Sequence, residues 1–156
     1  MRAFPGRSKA PRLIGLGEWP EESGRPRVLV EDPDGAVLWA YTRILEEEGY
    51  DGAGCQGPTG VRGDGLARTC CPLLEGYSCP LVAGADVVVS STSLPESAEI
   101  HAAVSRQDTV LVVGGPEHVV EERRIRIGAG APLPFPVTRE KLVHAVAAAL
   151  ETSPTT

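Results

Sequence analysis

The sequence predicts one α/β domain built on a doubly wound, five-stranded parallel sheet. Two observations lead to this fold class: short apolar segments rich in β-branched residues recur along the chain, and segments with helical spacing of apolar residues separate them. Strands that alternate with helices indicate right-handed crossovers and a parallel sheet. The length of 156 residues suits one such domain with tails, and 42% of the residues are apolar, which suffices for a core without disulfide bonds.

The first half of the domain begins with a buried strand over 27–30 that runs into a polar turn. A helix is predicted over 36–48, with Asp34 as its N-cap and Gly49 as its stop. Residues 50–54 form a weaker second strand. The apolar face of the helix carries Val37, Leu38, Tyr41, Ile44 and Leu45.

The second half supplies three more strands, over 85–91, 109–113 and 131–135. A capping box at Ser93 starts a helix after the first of these, and a short helix is predicted over 117–124. The last strand contains prolines and is therefore expected at a sheet edge. Thr138 caps the final helix, whose inner stripe is predicted to be Leu142, Val146 and Leu150.

The domain spans 26–151, between a flexible N-terminal tail over 1–25 and a C-terminal tail over 152–156. The net charge of −6 argues against a nucleic-acid partner, because phosphate contacts require a concentrated basic face. No apolar run reaches the roughly 20 residues that a membrane span requires, and no signal-peptide segment follows the basic N-terminus. We therefore expect a cytoplasmic protein without membrane contact.

Three stretches of the domain resemble the response-regulator receiver domain, a CheY-like family. Residues 28–50 are similar to the family's first strand, acidic turn and first helix, and residues 85–95 to its third strand and the turn that follows. Residues 135–142 are similar to the exit of its fifth strand and its last helix. The resemblance covers 26–151 and implies a receiver or flavodoxin-like fold, a signalling role and a cis peptide bond before Pro136.

The resemblance also places the family's phosphorylation site, where this chain departs from the pattern. Ser91 stands where receivers carry the aspartate that accepts phosphate, Gly114 stands at the hydroxyl position, and Phe135 stands at the lysine position. The acidic pair that would hold Mg²⁺ is represented by Asp32 and Asp34. Phosphorus then lacks an acyl acceptor and the phosphoryl oxygens lack a cation. The resemblance implies a pseudo-receiver, which is no enzyme and acts by binding a protein partner.

Two polar clusters at strand exits allow more than one interpretation. The acidic turn 31–34 could bind a divalent cation, but negative charge at a helix N-terminus is the preferred interpretation, because Pro33 restrains the turn and a third carboxylate is missing. The hydroxyl cluster 90–93 is suited to phosphorylation or to anion binding, while capping by Ser93 accounts for one of its members.

Four cysteines lie in an irregular segment, 55–84, which takes the place of the family's second helix. The segment contains two Cys-Pro repeats, at 71–76 and 79–84. We predict that Cys55, Cys71 and Cys79 converge, whereas Cys70 points away because adjacent side chains diverge. Thiolate–metal bonds would organise a segment whose prolines interrupt a helix.

Three interpretations of the cysteines stay open: a zinc ion or an iron–sulfur cluster, redox-active thiols, and ordinary buried thiols. The predicted function is a non-catalytic, phosphorylation-independent signalling module whose cysteine segment binds a metal or cluster or senses redox state. The alternative is an iron–sulfur or thiol electron-transfer protein that serves a partner enzyme.

Overall fold

The computed structural model describes residues 19, 23–57, 72–90, 102, 104, 109–117, 120 and 131–152. The elements in these ranges are β1 Arg27–Glu31, α1 Gly35–Glu47, β2 Asp51–Cys55, a 3₁₀ turn Pro72–Glu75, α2 Pro80–Ala83, β3 Val87–Ser90, β4 Val110–Gly115, β5 Ala131–Pro134 and α3 Arg139–Thr152. The strands form one parallel sheet in the order β2-β1-β3-β4-β5. This sheet confirms the predicted fold class.

The sheet is doubly wound because the chain moves from β1 to β2 on one side and then to β3 on the other. Its two faces carry separate apolar clusters. The first cluster joins β1, β3, β4 and β5 to α1 and α3, and it includes Val30, Leu38, Val89, Leu133 and Val146. In the second cluster, residues of the four strands β1, β2, β3 and β4 pack with α2 and with Val104. This cluster includes Leu29, Ala53, Leu81, Val82 and Val113.

Helix α1 begins as the sequence predicts, because the Asp34 side chain accepts a hydrogen bond from the Ala36 N–H at 2.8 Å. Leu38 and Leu45 are buried, whereas Tyr41 and Ile44 are half-buried at the margin. Thr42 is fully buried as well, which the apolar pattern does not reveal. Its hydroxyl donates to the Leu38 carbonyl at 2.6 Å, so the buried polar group is satisfied within the helix.

Helix α3 is capped by Thr138, whose hydroxyl accepts a hydrogen bond from the Lys141 N–H at 3.2 Å. The predicted stripe needs one correction, because Leu150 is only half-buried at the margin of the first cluster. Its place is taken by Ala149. Helical periodicity puts residues 142, 145, 146 and 149 on the innermost line, and position 150 lies beside that line.

The predicted irregular segment 55–84 is in part helical. The 3₁₀ turn begins at Pro72 and α2 begins at Pro80, so each Cys-Pro repeat starts a short helix. Proline is tolerated there because the first N–H groups of a helix have no partner within the helix. Residues 58–71, with Cys70 and Cys71, lie outside the described residues, as do most positions of the two predicted helices that start at Ser93 and Glu117.

The last strand lies at the edge of the sheet, as predicted, and carries Pro132 and Pro134. The peptide bond between Phe135 and Pro136 is cis, which also confirms the expectation. Residues 1–18 and 153–156 lie outside the described residues, so the predicted tails stay predictions. No helix in the described ranges is both long enough and apolar enough to cross a membrane.

Candidate functional site

The candidate site lies at the carboxyl ends of the central strands, where ligands of doubly wound sheets bind. The chain reverses its direction of winding between β1 and β3, and the last residues of these strands, Glu31 and Ser90, are neighbours in register. On the other side of β1, Glu31 is the register partner of Cys55. The topology therefore brings a carboxylate, a hydroxyl and a thiol to adjacent strand ends.

The buried acidic residues here are Glu31 and Asp32, which are 5% and 8% exposed. Of the acidic pair predicted from the sequence, Asp32 is buried, whereas Asp34 is exposed and caps α1. β1 extends one residue further than its apolar run, which carries Glu31 into the sheet. The only signal in the sequence is that Glu31 directly follows three apolar strand residues.

Glu31 is enclosed by polar and backbone groups from two neighbouring segments. The Ser90 hydroxyl, itself 1% exposed, donates to the Glu31 carboxylate at 2.9 Å. On the other side, the backbone of Gly57 approaches so closely that a Cβ there would lie 2.9 Å from Glu31 Oε1. Gly57 has φ +73°, so both its conformation and this contact require glycine.

Asp32 is held by backbone hydrogen bonds. Its side chain accepts from the Asp34 N–H at 2.8 Å, and its own N–H donates to the Cys55 carbonyl at 3.1 Å. The negative charge of Asp32 also acts on Tyr41 in α1. Burial raises the pKa of the Tyr41 phenol above its ordinary value of 10.0, and the Asp32 charge raises it further.

The remaining positions of the expected phosphorylation site are apolar where the structure describes them. Gly114 lies within β4 and is the register partner of Leu133. Phe135 follows β5, and its N–H donates to the Gly115 carbonyl at 2.8 Å. Phe135 is 44% exposed, so it lies at the rim of the strand ends. Ser91 lies outside the described residues.

Among the described residues, the only lysine is Lys141, on the exposed side of α3. Its ammonium group donates to the Pro136 carbonyl at 3.1 Å, immediately after the cis peptide bond. This hydrogen bond joins the first turn of α3 to the loop that follows β5. The ammonium group is therefore held beside the second residue after the end of β5.

Two of the three predicted metal ligands are described, and both pack against the second apolar cluster. Cys55 ends β2, and its sulfur accepts a hydrogen bond from the Gly57 N–H at 3.4 Å. Cys79 is the N-cap residue of α2. Across the described ranges, no three His, Cys, Asp or Glu side chains are grouped so that they could hold a metal ion. Cys71 lies outside those ranges, so the three-cysteine site stays a prediction.

Comparison with solved structures decides the fold. A response regulator receiver protein from Burkholderia phymatum matches with a TM-score of 0.60 and 21% identity, over 84% of this chain and 100% of that one. A CheY-like receiver domain protein from Methanospirillum hungatei JF-1 matches with a TM-score of 0.55 and 21% identity, over 83% of this chain and 96% of that one. This chain has the receiver fold.

The receiver fold also occurs in proteins with other described roles. A putative pilus assembly protein from Burkholderia thailandensis E264 matches with a TM-score of 0.60 and 15% identity, over 81% of this chain and 99% of that one. No protein-family model and no curated protein matches the sequence. The function of this receiver-fold chain must therefore be argued from its own residues.

Proposed function

We propose that this chain is a signalling module with the receiver fold that binds a protein partner, is not an enzyme, and works without phosphorylation of an aspartate. The observation that carries this proposal is the hydrogen bond of 2.9 Å between the Ser90 hydroxyl and the Glu31 carboxylate. The central strand of the sheet ends in a hydroxyl that one of the two buried carboxylates already binds. The hydroxyl at this strand end therefore already has a hydrogen-bond partner within the protein.

The chemistry of aspartate phosphorylation requires groups that the sequence does not place there. An acyl phosphate forms on a carboxylate, and residues 87–95 contain none. A cation must then balance the phosphoryl oxygens, and Phe135 is the residue at that position. A serine hydroxyl is a much poorer acceptor for small phosphate donors, because it must first lose its proton to a base.

Exposed aromatic residues and the negative net charge both support a protein partner over a nucleic acid. Trp39, Tyr77 and Phe135 are large apolar residues with 49%, 70% and 44% of their surface exposed. Exposed aromatic residues are enriched at protein interfaces. The net charge of −6 makes a nucleic-acid partner unfavourable.

The proposal is tested by exposing the purified chain to acetyl phosphate with Mg²⁺ and searching for phosphoaspartate by mass spectrometry and hydroxylamine release. We expect no phosphorylated aspartate, whereas an active receiver domain treated in parallel is labelled. The variant Ser91→Asp should stay unlabelled, because the lysine and hydroxyl positions are also changed. Phosphoaspartate in the unaltered chain would overturn the proposal.

We also propose that Cys55, Cys71 and Cys79 bind a metal ion or an iron–sulfur cluster or act as redox-sensitive thiols. Support comes from the placement of Cys55 and Cys79 against one apolar cluster, and from the Gly57 N–H that donates to the Cys55 sulfur. An N–H donor stabilises negative charge on sulfur, and apolar cover is what a thiolate cluster requires. A bound cluster would supply one-electron chemistry, which is the basis of the alternative function in electron transfer to a partner enzyme.

Metal and sulfide analysis of protein purified without air tests the cysteine proposal. Cys71→Ser and Cys79→Ser should each lose the bound metal, whereas the neighbouring Cys70→Ser is the matched control and should retain it. A measured midpoint potential together with reduction of a partner would favour electron transfer over signalling. Protein that contains neither metal nor sulfide, and whose thiols do not respond to oxidants, would leave ordinary buried thiols as the answer.

A further inference from the structure

The indole ring of Trp19 lies on the face of the sheet that α2 covers. Its N–H donates to the Leu81 carbonyl at 2.9 Å, and the ring packs against the second apolar cluster. The Arg27 guanidinium lies over the ring, 5.7 Å from its centroid. Trp19 is only half-buried, so the place that holds the ring can be reached from solvent.

The end of α2 leaves the Leu81 carbonyl available for this donor. The two N–H groups that follow the helix donate to the carbonyls on either side of Leu81: Gly84 to Pro80 at 3.0 Å, and Ala85 to Val82 at 3.1 Å. Leu81 is 2% exposed, and a buried carbonyl that lacks a donor costs free energy. The indole N–H therefore supplies a hydrogen bond that the backbone at the end of α2 needs.

Gly84 leaves the space that the pyrrole edge of the ring fills. A Cβ at position 84 would lie 2.5 Å from Trp19 Cδ1 and 2.8 Å from Trp19 Nε1, closer than non-bonded atoms approach. The same Cβ would lie 3.3 Å from the Pro80 carbonyl oxygen, which is a milder contact. The φ of −91° at Gly84 is open to every residue. The ring is therefore the main reason that no side chain fits at this position.

We propose that Gly84, the Leu81 carbonyl and the Arg27 guanidinium form a binding site for an indole ring, which Trp19 fills in this chain. Each group recognises a different property of the ligand. Gly84 admits a flat edge, the carbonyl requires an N–H donor at that edge, and the guanidinium requires a π face. The ligand class is therefore a flat bicyclic aromatic ring with an N–H group.

This site is separate from the strand ends that carry the proposed function. Arg27 begins β1, and Gly84 lies between α2 and the start of β3. Both positions are at the amino-terminal ends of strands, whereas Glu31 and Ser90 are at the carboxyl ends. The test of the indole site therefore does not depend on the outcome of the phosphorylation experiment.

Replacing the bound side chain by a free ring tests the site in the full chain. Trp19→Ala vacates the site, and added indole should raise the calorimetric melting temperature of this variant as its concentration exceeds its dissociation constant. Indene has the same bicyclic shape without the N–H, so it should bind about tenfold more weakly, because the Leu81 carbonyl then lacks a donor. Equal stabilisation by indole and indene would overturn the proposed recognition.

Further variants test where the indole binds. Trp19→Ala combined with Gly84→Ala should lose the stabilisation by indole, because the Cβ occupies the position of the ring. Trp39→Ala is the matched control, because it removes the other tryptophan, which is 49% exposed, and keeps the site filled. Indole should leave this control and the unaltered chain unchanged. If indole stabilised either of them as much as Trp19→Ala, or still stabilised the double variant, the assignment would be overturned.

Nuclear magnetic resonance extends the test to a variant that does not fold by itself. A ligand that binds only the folded state shifts the equilibrium toward that state. If Trp19→Ala is unfolded alone, indole should restore dispersed amide signals, and indene should require about tenfold higher concentrations. Trp19→Ala that stays unfolded at every indole concentration, or that folds without being stabilised by indole, would contradict the proposal.

Discussion

Glu31 is a carboxylate at the end of a buried strand, and its surroundings explain how the fold tolerates it. Burying a charge is costly unless hydrogen bonds replace the lost water. Ser90 supplies one such bond at 2.9 Å, and the backbone of Gly57 closes over the other carboxylate oxygen. The three segments that meet here, β1, β3 and the turn after β2, are therefore joined by a single side chain.

The Ser90 contact predicts a measurable loss of stability. Ser90→Ala removes a hydrogen bond to a buried carboxyl group and should lower the free energy of unfolding by about 1–3 kcal/mol in urea denaturation. Ser78→Ala is the control, because Ser78 is exposed and surface changes usually stay within about 0.5 kcal/mol. Equal effects of the two substitutions would show that the Glu31 contact contributes no stability.

Tyr41 and Asp32 predict a spectroscopic titration. Burial and the Asp32 charge both raise the pKa of Tyr41 above 10.0, with burial the larger cause. Asp32→Asn should therefore lower the pKa of Tyr41 without returning it to its ordinary value. Absorbance at 295 nm follows the titration, with Tyr41→Phe identifying the signal. Because the folded pKa is raised, this contribution to stability is complete below pH 10.0 and is lost as the pH rises from there through the folded value.

The residues of the site were predictable only in part from the sequence. Apolar periodicity locates β1 but does not show that the strand continues through Glu31, so the sequence does not reveal Glu31 as a buried neighbour of Asp32. Ser90 was recognised as part of a hydroxyl cluster, but its partner comes from a strand 59 positions away. Long-range pairs of this kind depend on the register of strands that the sequence does not encode locally.

At the scale of elements, two glycines in β2 let α1 approach the sheet. A Cβ at Gly52 would lie 3.2 Å from the Thr42 carbonyl oxygen, and one at Gly54 would lie 3.4 Å from the Leu38 side chain. The backbone contact at Gly52 is the stricter one, because a carbonyl within a helix cannot turn aside. The glycines of β2 thus set the spacing between strand and helix.

A pair of glycine substitutions tests this spacing. Gly52→Ala should lower the free energy of unfolding by about 1–3 kcal/mol, because α1 must move away from β2. Gly35→Ala is the matched control at the first position of α1, where the nearest atom is the Gln56 side chain at 3.6 Å. That change should stabilise the chain by about 0.5–1 kcal/mol. If Gly52→Ala stabilised the chain as much as Gly35→Ala, the close packing of α1 against β2 would be contradicted.

Arg139 joins the first turn of α3 to the last turn of α1. Its guanidinium lies 2.8 Å from Glu47 and 2.7 Å from Glu48. The hydrogen bond from Arg139 is the main reason that the pKa of Glu47 is lowered from its ordinary value of 4.5. All three side chains are on the surface, where solvent screens the charges, so the gain in stability is small.

The lowered pKa of Glu47 fixes the pH dependence of that gain. A depressed carboxylate stabilises the folded state above pH 4.5, and the contribution is lost as the pH falls through the lowered value. Arg139→Gln should therefore reduce the melting temperature near neutral pH, and the difference from the unaltered chain should disappear in acid. Lys141→Gln, two residues further along α3 at an exposed position, should show no such pH dependence. A constant difference for Arg139→Gln would exclude the ion pair as its cause.

Short elements limited what the sequence could predict at this scale. Long apolar periods located α1 and α3, whereas the four-residue α2 has no period to detect. Prolines were interpreted as helix breakers over 55–84, yet Pro72 and Pro80 each start a helical turn. A proline has opposite effects at the first position and in the interior of a helix, and the difference depends on where the helix begins.

For the whole molecule, the order of elements was sufficient to predict the fold. Apolar strands separated by helices allow few arrangements, because crossovers are right-handed and short. The resemblance at residues 28–50, 85–95 and 135–142 then specified the receiver arrangement, and solved receiver structures match it. The position of Trp19 on α2 was beyond this approach, because a single tryptophan in a proline-rich stretch carries no periodic signal.

Thermal unfolding tests the proposed function on the intact fold. A ligand that binds only the folded state raises the melting temperature by an amount that grows with the logarithm of its concentration above its dissociation constant. Beryllofluoride with Mg²⁺ imitates a phosphorylated aspartate, and we expect it to leave the melting temperature of this chain unchanged. An active receiver domain measured in parallel should be stabilised. An increase in the melting temperature of this chain that grows with the beryllofluoride concentration and requires Mg²⁺ would contradict phosphorylation independence.

The prolines of β5 determine where the sheet can grow. The Phe135 N–H points toward β4 and donates to Gly115. Because N–H groups alternate in direction along a strand, positions 132 and 134 direct their nitrogens away from the sheet, and both are prolines that carry no hydrogen. An additional strand arriving at that border would find carbonyl oxygens but no donors at these two positions. The missing N–H groups of Pro132 and Pro134 therefore oppose edge-to-edge association of sheets from two copies of this chain at the β5 edge. This effect does not depend on the protein concentration.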